Sequence, residues 1–144
     1  PSDESIAWVY ELINQFSLPI LFHNKIHQLD GHPKEVLKIV PKYKNINFVI
    51  GHFFGDDFSI IEEMKKYPNV FTETSIYART KRIENIVNKH QFENIILGSD
   101  SPYDNQEIAI LKIKRSEISD EMKEKILYKN AQKILRLNES LNDL

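Results

Sequence analysis

Four short apolar segments recur along the chain at intervals typical of alternating strands and helices. They end near residues 23, 52, 75 and 100, which lie 29, 23 and 25 residues apart. Intervals of this size fit a strand, a crossover helix and the next parallel strand. The segments are nearly continuously apolar, as expected for parallel strands covered on both faces. The sequence therefore predicts an α/β fold of parallel strand–helix units, with strands at 19–23, 47–51, 70–75 and 94–99.

Apolar residues at helical spacing lie before, between and after these strands. Helices are predicted around 6–16, 33–40, 58–64, 83–87, 108–111 and 119–135. Pro33 suits the first position of its helix, and Ser119 suits a helix cap. A complete barrel of eight strand–helix units takes ~250 residues. With four predicted strands in 144 residues, the chain is expected to be either a small open sheet or half of a barrel.

Composition limits both the size and the partners of the protein. A chain of 144 residues with 41% hydrophobic residues can bury one core, so residues 1–144 are expected to form one domain. Nineteen basic and 21 acidic residues give a net charge of -2, which argues against binding to nucleic acid or to an anionic membrane. The absence of cysteine excludes disulfides, thiolate metal sites and cysteine nucleophiles.

The same sequence predicts a cytoplasmic protein. No apolar run approaches the ~20 residues that span a bilayer. No basic and apolar leader opens the printed sequence. We therefore expect a soluble protein that acts on a small-molecule substrate.

Three predicted strands end at residues that can bind a metal or move a proton: His23, His52 and Asp100. The carboxyl ends of parallel strands meet at one rim, where barrel enzymes place their active sites. Imidazole and carboxylate groups serve there as metal ligands and as proton carriers. The alternatives are a strand-end histidine bonded to a backbone carbonyl and, for Asp100, a turn or cap before Ser-Pro. Together the three residues predict part of a metal site.

Other polar and aromatic residues are secondary candidates. Phe53 follows His52 and is a candidate substrate contact, with a place in the core as the alternative. Arg79 is a candidate partner for a substrate carboxylate. Glu73 lies inside a predicted strand, where a buried acid needs a partner. It is therefore expected to hold the site residues in place through hydrogen bonds. His27 and His32 lie in the loop after the first strand, where a surface position is the alternative.

Four stretches, taken in order, resemble the carboxyl-terminal half of the amidohydrolase superfamily, in its amidohydrolase-related branch. They run from Leu18 to His23, from Asn47 to His52, from Pro68 to Ser75 and from Ile95 to Pro102. The segments 118–121 and 126–131 are similar to the last helices of that family. The resemblance extends over nearly the whole chain.

The resemblance implies a metal-dependent, distorted eight-stranded barrel of the TIM type. In it, His23 would bind the metal, and His52 would assist catalysis or bind a metal. Asp100 would bind the metal and act as general base. Members of the family hydrolyse amide or ester-like bonds, and some decarboxylate aromatic or related acids. The expected cofactor is a divalent metal, with zinc as the first expectation and manganese as the second.

The chain departs from the family pattern in one respect: the His-x-His pair of the family's first strand is not present. His23 and Asp100 alone fall short of the three protein ligands usual for a catalytic zinc site. The chain is therefore expected to be a truncated or split form of a longer hydrolase, with strands one to four absent.

Three readings follow from this departure. The first is a metal-dependent hydrolase, with decarboxylation by the same groups as its variant. The second is a catalytically inactive half-barrel that serves as a binding or assembly module. Open strand edges would favour pairing with a second copy or with an amino-terminal half. The third is an unrelated small open-sheet domain with incidental histidines.

Overall fold

A four-stranded parallel sheet with its strands in sequence order forms the centre of the fold. The computed structural model describes residues 3–24, 32–54, 58–76 and 79–137. The strands are β1 (Ile20–Phe22), β2 (Phe48–Ile50), β3 (Val70–Glu73) and β4 (Ile95–Ile96). Helices connect successive strands, and this arrangement confirms the predicted strand–helix units of a partial α/β barrel.

The helices follow the predicted order along the chain. They are α1 (Ala7–Gln15), α2 (Pro33–Leu37), α3 (Ser59–Met64), α4 (Thr80–Asn88), α5 (Gln106–Arg115), α6 (Asp120–Glu124) and α7 (Asn130–Ile134). A π-helical segment, Lys125–Lys129, joins α6 to α7. Pro33 begins α2 and Ser119 caps α6 through the Met122 N–H, as the sequence predicts. No helix in the described ranges combines the length and apolar character needed to cross a bilayer.

The strands are shorter than predicted, most clearly β4, which was expected over 94–99. Its backbone leaves the sheet at Leu97, whose N–H donates to the Ile126 carbonyl at 2.8 Å. The next N–H, that of Gly98, donates to the Thr74 hydroxyl at 3.1 Å. These partners replace the strand-to-strand hydrogen bonds, so the carboxyl end of β4 turns without leaving its backbone groups unpaired.

One face of the sheet packs against the helices and forms the main core. Phe22 stacks on Phe48 with ring centroids 6.3 Å apart, and Phe48, Ile50 and Val70 are buried. Because side chains alternate along a strand, the intervening residues point to the opposite face. That second face carries a smaller apolar cluster of Val49, Phe71, Ile96 and Ile134.

Helix α7 closes one end of this second face. Asn130 Nδ2 donates to the Glu93 and Ile95 carbonyls at 2.8 and 2.7 Å. Asn47 Nδ2, just before β2, donates to the Ile134 carbonyl at 3.3 Å. These contacts hold α7 at the amino-terminal ends of β2 and β4. The carboxyl ends of the strands are left free to form a site.

A polar cluster ties α4 to the segment between α5 and α6. The Glu84 carboxylate accepts a hydrogen bond from the Glu117 backbone N–H at 2.8 Å and lies 2.9 Å from Lys81 Nζ. The Glu117 N–H, followed by the Lys81 ammonium, holds the pKa of Glu84 below its ordinary value. Lys81 and Glu117 are exposed, whereas Glu84 is buried beneath them, and none of the three lines the cavity on the second face of the sheet.

Candidate functional site

A cavity of about 530 Å³ runs along the second face of the sheet, from α7 at the amino-terminal ends of the strands to the polar residues at their carboxyl ends. Its volume is in the range of small-molecule sites. Its polar side chains are those of His23, His52, Glu73, Ser75 and Asp100. Its apolar wall is formed mainly by Leu21, Val49, Ile96, Leu97 and Ile134. The cavity therefore combines an apolar wall with a few converging polar groups.

His23 and His52 meet directly in this cavity. The parallel register pairs Phe22 with Ile50, so the residues that follow β1 and β2 come side by side. His52 Nε2 lies 2.9 Å from His23 Nδ1, and the two rings meet edge to face at 82°. His52 is only 7% exposed, whereas His23 is exposed. The structure thus brings together two predicted site residues that are 29 positions apart in sequence.

On the side of its Nδ1 atom, the His52 ring contacts a buried acid and a hydroxyl. His52 Nδ1 lies 2.7 Å from Ser75 Oγ and 3.5 Å from Glu73 Oε1. Glu73 also accepts the backbone N–H of His52, so it holds both the ring and the main chain of that residue. The sequence predicted a supporting role for Glu73 but not for Ser75. The signal for Ser75 was its place two residues after Glu73, on the same face of the strand.

Three of the predicted site residues have left-handed backbone conformations, with φ angles of 56° at His52, 52° at Phe53 and 59° at Asp100. Such conformations are uncommon outside glycine, and they concentrate at functional sites because the surrounding structure must hold them. At His52, shortly after β2, and at Asp100, in the segment that follows β4, they turn the chain sharply where the side chain lines the cavity.

The profile of the amidohydrolase family matches residues 2–137, which is nearly the whole chain. The chain belongs to the amidohydrolase family. This membership confirms the family predicted from the ordered strand-end stretches. No curated protein has a sequence that matches this chain significantly.

Solved structures with the same fold span roughly twice the length of this chain. An uncharacterised TIM-barrel protein from Bordetella bronchiseptica matches with a TM-score of 0.78 and 15% identity, over 93% of this chain and 51% of its own. A dihydroxybenzoic acid decarboxylase from a Polaromonas species, with bound manganese and 2-nitroresorcinol, gives 0.70 and 18%, over 94% and 55%. A dihydroorotase from Campylobacter jejuni gives 0.64 and 16%, over 94% and 53%. At these identities the likeness shows the fold alone.

The donor groups in the cavity are of the right kind for a divalent metal but are too few to hold one. Two imidazoles lie together, and the Asp100 carboxylate lines the same cavity. Within the described ranges, however, no three His, Cys, Asp or Glu side chains come close enough to hold a metal ion. The described part of the chain therefore fits one side of a metal site, and further ligands would have to come from elsewhere.

Phe53, a predicted substrate contact, lies in the main core. Its side chain is fully buried, its ring packs 5.7 Å from the Arg82 guanidinium carbon, and it does not line the cavity. The physical reason is the turn at 52–54, where both His52 and Phe53 have positive φ. At this turn the His52 side chain lines the cavity and that of Phe53 packs into the main core.

Arg79 also lies away from the cavity. It is the exposed residue before α4 and is absent from the cavity wall, so the structure gives no support to its predicted contact with a substrate carboxylate. Among the loop histidines, His32 caps α2 by accepting the Lys34 N–H on Nδ1 at 3.2 Å. His27 falls outside the described residues.

Proposed function

We propose that this chain supplies the carboxyl-terminal side of a metal-dependent active site that hydrolyses amide or ester-like C–N or C–O bonds in a small molecule. One observation carries the proposal: the strand-end residues His23 and His52 are in direct contact in a cavity that Asp100 also lines. Family membership supports catalysis at this rim, since barrel enzymes place their chemistry at the carboxyl ends of the strands.

Each polar residue has a distinct role in this proposal. His23, His52 and Asp100 would hold a divalent metal, together with ligands from outside the four described strands. Zinc is the first candidate and manganese the second. When bound, such a metal supplies Lewis-acid polarisation of an oxygen atom. The Asp100 carboxylate accepts a proton at the rim of the cavity, while Glu73 and Ser75 keep the His52 ring in place.

Decarboxylation of an aromatic acid is the second candidate reaction. The wall formed by Leu21, Val49 and Ile96 offers a flat substrate an apolar surface beside the polar rim. The Polaromonas structure of the same fold is a dihydroxybenzoic acid decarboxylase. In this reaction Asp100 would deliver a proton to the carbon that loses carbon dioxide, rather than accept one from water.

A metal and substrate screen on the full-length protein tests both reactions. We expect turnover that needs zinc or manganese and is lost on chelation. Formation of an acid together with an amine or an alcohol would identify hydrolysis, and release of carbon dioxide would identify decarboxylation. His23→Gln is expected to lower metal retention at least about tenfold, because it removes an imidazole from the donor set.

His90→Gln is the matched control for His23→Gln. The His90 ring stacks on Phe58 at 5.9 Å and does not line the cavity, so this change should leave metal retention as in the wild type. A full-length protein that retains no metal and turns over neither substrate class would contradict the proposed function.

We also propose that further strand–helix units of a barrel cover the outer side of α1 and β1. Trp8 and Leu12 on α1 and Phe16 just after it are exposed at helical spacing, and β1 is an edge strand of the sheet. Large exposed apolar side chains beside an open strand edge are typical of an interaction site. This is the surface through which the predicted pairing, with a second copy or with an amino-terminal half, would occur.

Light scattering on a polypeptide of residues 1–144 tests this surface. We expect self-association, because apolar side chains and the β1 edge are uncovered. Phe16→Glu should shift the molar mass towards the monomer. Ile108→Glu, a change of an exposed residue on α5, should leave the mass unchanged. A monomer at all concentrations would contradict the proposal.

A further inference from the structure

A buried chain of hydrogen bonds connects the ends of β2 and β3 behind the cavity. Glu73 is 7% exposed and Ser75 is 2% exposed. The Glu73 carboxylate accepts three hydrogen bonds: from the His52 backbone N–H, from the Ser75 backbone N–H at 2.7 Å and from the Ser75 hydroxyl at 2.7 Å. The three donors belong to His52, which follows β2, and to Ser75, which follows the neighbouring strand β3.

The number of available protons then determines which nitrogen of the His52 ring carries a proton. Ser75 has one hydroxyl proton, and it is donated to Glu73. The contact of 2.7 Å between Ser75 Oγ and His52 Nδ1 must therefore be a hydrogen bond donated by Nδ1. In a neutral imidazole, a proton on Nδ1 leaves a lone pair on Nε2. That Nε2 atom lies 2.9 Å from His23 Nδ1 at the cavity, so it accepts a hydrogen bond from the Nδ1–H of His23.

Gly98 provides the space that this arrangement requires. A Cβ atom at residue 98 would lie 1.8 Å from Glu73 Oε2 and 2.8 Å from Glu73 Cδ. The Glu73 carboxylate therefore occupies the volume that any other side chain would need. Glu73 can keep this position only if residue 98 is glycine. Because Gly98 follows β4, the arrangement depends on segments at the ends of three neighbouring strands.

We infer that Glu73 and Ser75 are positioning residues that fix His52 in the Nδ1-protonated tautomer and present the Nε2 lone pair to the cavity. The inference rests on the proposed function in taking His52 as a site residue. It limits the roles open to the neutral His52 ring: a lone pair on Nε2 can bind a metal or accept a proton, but Nε2 then cannot donate a hydrogen bond to a substrate oxygen. Partners of this type commonly fix the tautomer of a ligand histidine.

NMR on the metal-free, full-length protein, with ¹⁵N in its histidine rings, tests this inference. Long-range proton–nitrogen correlations show which ring nitrogen carries the proton. We expect the proton of His52 on Nδ1 in the wild type. Ser75→Ala should shift the ring towards the Nε2-protonated form, and Ser75→Thr should restore the wild-type pattern. Thr72→Val is the matched control, because it removes a buried β3 hydroxyl that donates to the Ile50 carbonyl at 2.8 Å and does not touch His52.

Two results would overturn the inference: an Nε2-protonated His52 in the wild type, or a Ser75→Ala spectrum with the tautomer unchanged. Ser75→Ala should also weaken zinc or manganese retention by about 10- to 100-fold, while Thr72→Val leaves it unchanged. The tautomer is read without metal or substrate. An inactive protein with the expected tautomer would therefore contradict the proposed function alone, and an active protein with the other tautomer would contradict this inference alone.

Discussion

Asp100→Asn is expected to lower kcat by a factor of about 10² to 10⁴, the usual contribution of a positioned proton-transfer group. Asparagine has the same shape as aspartate, and it tolerates the left-handed conformation that residue 100 adopts, with φ of 59°. The change therefore removes the proton-accepting carboxylate from the cavity wall with little effect on the backbone. Steady-state kinetics with the substrate found in the screen measures the loss.

Asp104→Asn is the control for this prediction. Asp104 lies four residues further along the same loop, pairs with Lys112 at 3.6 Å and does not line the described cavity. Its replacement should leave kcat unchanged. Wild-type turnover in Asp100→Asn would rule out proton transfer by Asp100, whereas an equal loss in both variants would indicate an effect of loop charge.

Gly98→Ala is expected to be the most disruptive single-methyl change in the described site. The added Cβ would lie 1.8 Å from Glu73 Oε2, so the carboxylate must move away from Ser75 and from the His52 backbone. We expect the free energy of unfolding to fall by about 2–4 kcal/mol, from overpacking and from loss of the buried hydrogen bonds. Chemical denaturation measures the stability, and the NMR experiment above reports the accompanying change at His52.

A double-mutant cycle separates the clash with Glu73 from a general intolerance at residue 98. In a Glu73→Ala background the nearest remaining Glu73 atom is Cβ, at 3.2 Å. There, Gly98→Ala should cost much less, and the difference gives the coupling free energy. Equal costs in the two backgrounds would show that the carboxylate is not what fills the space above Gly98.

The order of the strands and the identity of the rim residues were predictable from the sequence. Apolar runs of strand length, separated by helical periodicity, specify a parallel sheet because a buried strand needs apolar side chains on both faces. The residue after each run then lies at the carboxyl edge. His23, His52 and Asp100 accordingly all line the cavity. Their chemical roles remain predictions.

The sequence left open where Phe53 packs, since both a substrate contact and a place in the core were possible. Phe53 lies in the core, at a turn where both it and His52 have positive φ. Such conformations are held by surrounding contacts rather than by local sequence preference. The early departure of β4 from the sheet has a similar origin, since the Leu97 N–H finds its partner in the distant Ile126 carbonyl.

The sequence by itself determined the fold class, the family and the positions of His23, His52 and Asp100 at the rim, since these depend on periodicity and on position along the chain. Only the tertiary structure showed that His52, Ser75 and Glu73 form one hydrogen-bonded chain and that Gly98 makes room for it. These relations join residues of three strands, and no local pattern encodes a distance between strands. They arise from the register of the sheet, which is set when the strands pair.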